Sequence, residues 1–295
     1  MQQINTKDTF FAKNRSLNCR GKLLNLSEPR VMGILNITSD SFYDGGLHED
    51  PSAALEHVRK MIDQGADILD VGAASSRPGA ALSHAEEEIK KLAPIVTSIR
   101  QEFPDLIISI DTYHASVANE MVSNCGADMI NDISAGAIDP DMMPIIAQLN
   151  VPYIIMHMKG IPGNMQQNPE YDNITDEIIQ YFSEKINLLH KKGISDILID
   201  PGFGFGKTMD HNYKLLAQIY AFNMFELPIV AGVSRKSMVY NLLESTSEES
   251  LTGTTAAHMI LLEKGVNIIR VHDVKEAREA ITIFNKTSSE SKQSH

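Results

Sequence analysis

Arg270 and His272 stand two residues apart at the end of Ile268-Ile269-Arg270-Val271-His272. Strand geometry of period two puts both side chains on one face. A guanidinium fork beside an imidazole donor suits phosphate or pyrophosphate. The same pattern also describes an arginine layer paired with acids such as Asp273, and the spacing leaves both readings open. A second segment, DPGFGFGK, runs from Asp200 to Lys207. It is not a nucleotide loop: Pro201 occupies the glycine position of a Walker motif, and Lys207 stands where GxGxxG needs its third glycine. Asp200 is then either a carboxylate that grips a ring edge, with Phe205 nearby, or an acid that caps a tight turn.

Further candidates lie at other segment ends. In Ser234-Arg235-Lys236-Ser237, Ser237 falls at an expected helix start, where free N–H groups favour a carboxylate or phosphate, and Lys236 can project inward. Taken alone, such a cation pair is also an ordinary solvated surface. Two polar loops, Thr38 to Gly46 and Ala73 to Gly79, are either connections or covers for a substrate. His157, between two methionines, reads as a packed, hydrogen-bonded histidine in preference to a metal ligand. Asp111, Asn131 and Asp200 together offer acceptors and one amide, a set able to read a flat heterocycle with ring N–H and amino groups. Without such a ligand they are rim residues.

These residues are scattered, so the elements between them must gather them. Short apolar runs recur at Val31 to Leu35, Ile68 to Val71, Leu106 to Ile110, Met129 to Ile130, Val151 to Met156, Ile197 to Ile199, Pro228 to Val233 and Ile268 to Val271. Continuous apolar runs are expected of parallel strands covered on both faces. Helical patterns separate them: Asp50-Pro51 opens one that Gly65 ends, Ser83 and Glu86 form an expected capping box, and Thr175 leads into one that stops at Gly193. A glycine followed within a few residues by an apolar run recurs at Gly65, Gly126, Gly193 and Gly265, each an expected helix stop.

Eight strand-and-helix units are compatible with an open doubly wound sheet or a closed barrel. Every strand run here ends in or beside polar groups: Asn36, Asp70, Asp111, Asn131, His157, Asp200, Arg235-Lys236, and Arg270 with His272. Only a barrel brings eight such ends to one mouth, so the expected fold is a single (β/α)8 TIM barrel. Leu17 to Leu26 suggests a hairpin under its bottom. The expected division is an N-terminal extension over residues 1–28, a barrel over 29–285 and a polar tail over 286–295.

The chain of 295 residues has 26 basic against 38 acidic residues, a net charge of −12. That balance argues against a nucleic-acid or anionic-membrane surface, so an anionic ligand needs a local cluster of cations. Two distant cysteines, Cys19 and Cys125, make neither a disulfide framework nor a zinc site. Neither a signal-peptide pattern nor a membrane-length apolar run occurs, and a cytoplasmic location is expected.

In combination the motifs become specific. MGILNITSDSFYDGG, DVGAASSRPGA, SIDTY, INDISAG, MHMKG, DPGFGFGK, GVSRKS and RVHDV occur in that order over nearly the whole chain. This series resembles the dihydropteroate synthase family of pterin-binding barrels. The resemblance implies a transferase of folate biosynthesis that joins 6-hydroxymethyl-7,8-dihydropterin pyrophosphate to 4-aminobenzoate, releasing pyrophosphate by a dissociative, Mg²⁺-assisted substitution. It implies pterin contacts at Asp111, Asn131, Met156, Asp200, Lys236 and Arg270. Pyrophosphate would meet Asn36, Arg270 and His272, with Asn36 also reaching Mg²⁺. Aminobenzoate would lie among Ser76, Arg77, Pro78, Phe205 and Ser237, and Asp44 would steady the cationic intermediate. The resemblance also implies a sulfonamide target and a homodimer, formed around Thr252 to Lys264.

The chain departs from the common family spelling in both polar loops. Ser39 replaces a usual proline, Tyr43 a usual serine, and Ala73-Ala74-Ser75-Ser76 stands for Gly-Glu-Ser-Thr. Losing a proline raises the entropy lost when a loop orders, so affinity for aminobenzoate and sulfonamides is expected to shift. Two rivals share parts of the pattern: a barrel that presents methyltetrahydrofolate to a corrinoid, and a non-catalytic pterin-binding subunit. Arg270, His272 and Ser237 favour the synthase over the first, and Asn36, Lys236, Arg270 and His272 favour it over the second.

Overall fold

A computed structural model describes residues 16–37, 51–74, 83–160, 163, 165 and 169–293. The chain begins there with an antiparallel hairpin, β1 (Ser16–Cys19) and β2 (Lys22–Asn25), turning through Arg20 and Gly21 in the left-handed region. Eight strands follow: β3 (Arg30–Asn36), β4 (Ile68–Gly72), β5 (Ile107–Asp111), β6 (Met129–Asp132), β7 (Tyr153–Met156), β8 (Ile197–Asp200), β9 (Val230–Ala231) and β10 (Ile268–Val271). They pair in parallel in the order β8-β7-β6-β5-β4-β3-β10-β9. A single parallel bridge, Ile199 to Ile229, joins the two outer strands. The expected barrel is therefore present and nearly closed.

Helices α1 (Pro51–Asp63), α2 (Ala85–Glu102), α3 (Ala115–Ser123), α4 (Met142–Leu149), α5 (Ile174–Lys191), α6 (Met209–Gln218), α7 (Ser237–Tyr240), α8 (Leu251–Glu263) and α9 (Val274–Gln293) lie between and after the strands. The four repeated glycines all have positive φ, from 82° to 99°. They end α1, α5 and α8, and the turn after α3, as the sequence predicts. No described helix is long and apolar enough to cross a membrane.

Period two divides each strand between two environments. Val31, Leu69, Ile108, Ile130, Ile155, Ile199, Ala231 and Ile269 belong to the cluster shared with the helices. The alternate residues Met32, Ile68, Ile107, Met129, Ile154, Leu198, Val230 and Ile268 pack inside the barrel against Leu17, Cys19, Leu24 and Leu26 of the hairpin. The hairpin thus plugs the bottom, as expected. Two residues further along the same inward face come Asp70, Ser109, Asn131, Met156, Asp200 and Arg270. Polarity is confined to the upper barrel, because the apolar floor below excludes water.

Three local expectations change. The run Pro228 to Val233 yields only a two-residue strand. The Ser83–Glu86 capping box does not form: His84 is the N-cap of α2, and the Ser83 hydroxyl instead donates to the buried Glu88 and lies 2.8 Å from the Tyr113 hydroxyl. Finally, α9 continues past Lys286, where the sequence reads as a polar tail, to Gln293.

Candidate active site

The site is assembled at the C-terminal ends of the strands. Arg270 on β10 is its hub. Its Nε donates to Asp70 Oδ2 at 2.6 Å, and its Nη2 donates to Asp111 Oδ2 at 2.7 Å. Asp70 is fully buried and also accepts from Asn131 Nδ2 at 3.0 Å. Strands β4, β5, β6 and β10 are therefore tied together by one guanidinium and its partners. The nearby carboxylates hold Arg270 firmly protonated despite burial. Burial pushes Asp111 up to about 7, against the pull of Arg270, with Asp70 adding to the rise.

Asp200 and Lys236 form the second half. Asp200, at the end of β8, accepts from the Gly202 N–H at 2.8 Å, so it does cap the tight turn while its side chain stays in the mouth. Burial raises its pKa, and Lys236 is the chief opposing influence. Lys236 donates to the Phe203 carbonyl at 2.5 Å and sits 4.8 Å from the Phe205 ring centre. Burial lowers Lys236 to about 8, with Asp200 resisting and Arg270 assisting. Arg270 thus acts electrostatically on both members of this acid–lysine couple, and Asp111 on Lys236, across the mouth.

An apolar wall completes the cleft. Met156 packs with Tyr113 and Ile133, and Ala74, Ile138, Met158 and Phe205 lie against them. Phe205 is held by an arrangement the sequence reading did not anticipate. Lys207, buried, donates to the Gly202 carbonyl at 2.8 Å, the Phe205 carbonyl at 3.0 Å and the His157 carbonyl at 3.3 Å. It also meets His157 Nδ1 at 3.1 Å. Burial, reinforced by Lys207 and Lys159, lowers His157 to about 2, so the ring is neutral and Nδ1 accepts. His157 is a packed histidine, as expected.

The remaining predicted residues divide. His272 approaches Ser234, with Nδ1 to Oγ at 3.2 Å. Asn36 ends β3 opposite Gly72, on the inward face of the barrel. Ser237 is exposed at the start of α7, with Lys236 as its N-cap. It is Arg235, not Arg270, that pairs with Asp273, through Nε at 2.8 Å and Nη2 at 2.5 Å. Asp44, Ser76, Arg77 and Pro78, with Ser39 and Tyr43, lie outside the described residues.

Asp70 belongs to the set linked through Arg270, though its type and spacing alone do not single it out. It was visible only as one more polar strand end. Its signal was parity: an acid on the same inward face as Ile68, next to apolar neighbours on both sides, needs a buried cation.

The comparisons point one way. The family model described as pterin binding enzyme matches residues 32–272. Among curated proteins, the dihydropteroate synthase of Escherichia coli K12 is 44% identical over 275 residues, covering 92% of this chain and 96% of the relative. A crystal structure of Yersinia pestis dihydropteroate synthase with a sulfonamide drug complex is similar at a TM-score of 0.89 and 43% identity, covering 93% of this chain and 99% of that one. The Xanthomonas albilineans dihydropteroate synthase with 4-aminobenzoic acid is similar at a TM-score of 0.86 and 37% identity, covering 93% and 98% of the two chains.

Proposed function

The chain belongs to the pterin-binding enzyme family as a dihydropteroate synthase, and on that basis we propose how its residues divide the work. The reaction joins the methylene carbon of 6-hydroxymethyl-7,8-dihydropterin pyrophosphate to the amine of 4-aminobenzoate. The observation that carries the assignment of residues is the linked set Asp111–Arg270–Asp70–Asn131 facing Asp200 and Lys236 above the Met156 wall. Such a set offers a flat ring acceptors at its edges and cations among them.

Asp200, Asp111 and Asn131 read the ring edges of the pterin. Asp200 accepts from a ring N–H and the exocyclic amine, so a ring without those donors leaves a buried carboxylate unpaired and is rejected strongly. Lys236 donates to the ring, Met156 packs under it, and Arg270 lies along its face. Arg270, His272 and Asn36 receive the pyrophosphate. Arg270 spends two of its N–H donors on Asp70 and Asp111, and its remaining donors are those available to the departing oxygens.

The C–O bond to pyrophosphate breaks first, and the electron-rich dihydropterin holds the methylene cation, steadied by Asp44. The aminobenzoate amine then forms the C–N bond and releases its proton to solvent. Ser76, Arg77, Pro78, Phe205 and Ser237 surround that second substrate. Positioning supplies much of the rate, and no covalent enzyme intermediate is formed.

A divalent ion fits this donor set in one way. No group of three or more His, Cys, Asp or Glu side chains able to hold a metal occurs among the described residues. Mg²⁺ characteristically arrives with substrate phosphates and few protein ligands, so one amide oxygen, that of Asn36, is a sufficient contact. When bound, Mg²⁺ neutralises charge growing on the pyrophosphate. A cytoplasmic homodimer, joined around Thr252 to Lys264, completes the proposal.

The test is pyrophosphate release with both substrates and Mg²⁺. Release that requires both substrates supports the assignment. Binding of pterin without release supports a non-catalytic subunit, and methyl transfer from methyltetrahydrofolate supports the corrinoid-linked alternative.

A further inference from the structure

We propose that Asp70 is a positioning residue that fixes which end of the Asn131 amide the pterin meets, and so sets the subsite to select an amino group over a carbonyl. This rests on the pterin reading above and deepens it. Asp70 is fully buried, and one of its oxygens, Oδ2, accepts from both Arg270 Nε and Asn131 Nδ2. Its other oxygen, Oδ1, is buried without a hydrogen-bond partner among the described residues.

The argument turns on what a carboxylate can do. An asparagine amide has two ends of similar shape and opposite hydrogen-bonding character, and shape alone does not choose between them. Asp70, ion-paired with Arg270, can only accept. The atom of Asn131 that lies 3.0 Å from it must therefore be the nitrogen. Reversing the amide would set Oδ1 against a carboxylate oxygen, two acceptors in contact inside a buried site, which is strongly unfavourable. The amide oxygen is thus the end directed away from Asp70, where it accepts from a ligand N–H. Asn131 is itself 5% exposed, so a mismatched ligand group opposite it has no water to turn to.

Asp70 acts through Asn131 and Arg270, not by touching the ligand. A merely structural role would weaken all ligands alike. Selection of amide sense instead changes the ratio between two ligands. The decisive pair is 6-hydroxymethylpterin and its 2-oxo counterpart, 6-hydroxymethyllumazine, titrated into the full-length protein and into Asp70→Leu, which fills the space and removes the acceptor. Wild-type protein is expected to prefer the amino ring, and in Asp70→Leu that ratio is expected to fall at least about tenfold. Asp70→Asn, whose carbonyl can still accept from both donors, is expected to restore most of it. An Asp70→Leu protein with the wild-type ratio overturns the proposal.

Should Asp70→Leu not fold, neutron diffraction of the unaltered protein with 6-hydroxymethylpterin decides the matter. Deuterons on the Asn131 atom facing Asp70 support the proposal, and their absence there overturns it. If wild-type protein binds neither ring, it is the pterin assignment that fails. If it binds the pterin but the ratio ignores Asp70, only the present inference fails.

Discussion

Arg270 and Asp111 are joined across the barrel mouth, Nη2 to Oδ2 at 2.7 Å, from strands that are not neighbours in the sheet. Asp70 takes the other side of the same guanidinium. One cation therefore serves two acids, Asp70 fully buried and Asp111 partly exposed, and the site has no surplus positive charge at its centre. Under the proposed assignment, pyrophosphate would be met by the outward donors of Arg270 together with His272, not by an uncommitted arginine.

Replacing Arg270 removes both functions together. Arg270→Ala leaves Asp70 and Asp111 unpaired and is expected to destabilise the fold by about 3–5 kcal/mol. Pyrophosphate release should fall by about 100-fold or more, as for loss of a donor to developing charge. Thermal melting and steady-state release measure the two effects separately, and near-normal turnover would remove Arg270 from the proposed clamp.

Lys236 supplies a pH signature. Burial lowers it from its ordinary value to about 8. A folded-state pKa below the unfolded one means that folding carries the penalty of a buried charge at neutral pH. That penalty disappears between about 8 and the unfolded value, so this group's contribution to stability rises with pH across that window. Ligand binding moves the other way, because the ammonium donor is lost. Pterin affinity should fall by up to about tenfold per pH unit above about 8. Calorimetric titration across that range checks it, and Lys236→Met should abolish the slope.

Lys207 holds the loop that carries Phe205 by donating to its carbonyls. Lys207→Met fills the same space and leaves those buried oxygens unsatisfied, at an expected cost of about 2–4 kcal/mol. The KM for aminobenzoate should rise more than kcat falls, since the loop shifts while Arg270 and Asp111 stay in place. Equal losses in both constants would point to a general loss of fold instead.

Gly202 has no room for a side chain. Its φ is 73°, and a Cβ there would lie 2.1 Å from the His157 carbonyl oxygen. The same residue's N–H holds Asp200. Gly202→Ala should therefore cost at least about 3 kcal/mol and weaken pterin binding through displacement of Asp200. Gly193→Ala is the control: it also has positive φ, at 82°, but a Cβ there meets nothing within 4 Å, so it should be milder and leave binding unchanged.

Much of this molecule can be read from its residues, for physical reasons that particular elements show. Strands such as Val31 to Leu35 announce themselves because both faces are buried and almost every position is apolar. The helix stops at Gly65 and Gly265 are legible because only a left-handed residue serves there. Local chemistry is less reliable where a distant partner competes. Ser83 has the spelling of a cap, yet Glu88 and Tyr113 capture its hydroxyl. In sequence Asp273 reads as a partner for Arg270, and only the folded barrel shows that Arg235 takes it instead. Asp132 shows the limit from the other side: next to Asn131, it faces the helices, where Tyr153, Ser134 and Gly136 consume its oxygens.

The wall between β8 and β9 is stitched by one bridge, Ile199 to Ile229, while every other neighbouring pair shares a longer ladder. Asp200 leaves one lip of that seam, and the segment that delivers Lys236 leaves the other. Warming the protein should unzip the cylinder there first. The acid and the amine would then drift apart while the helical signal stays intact, and the enzyme would lose its grip on ligand before it loses its shape.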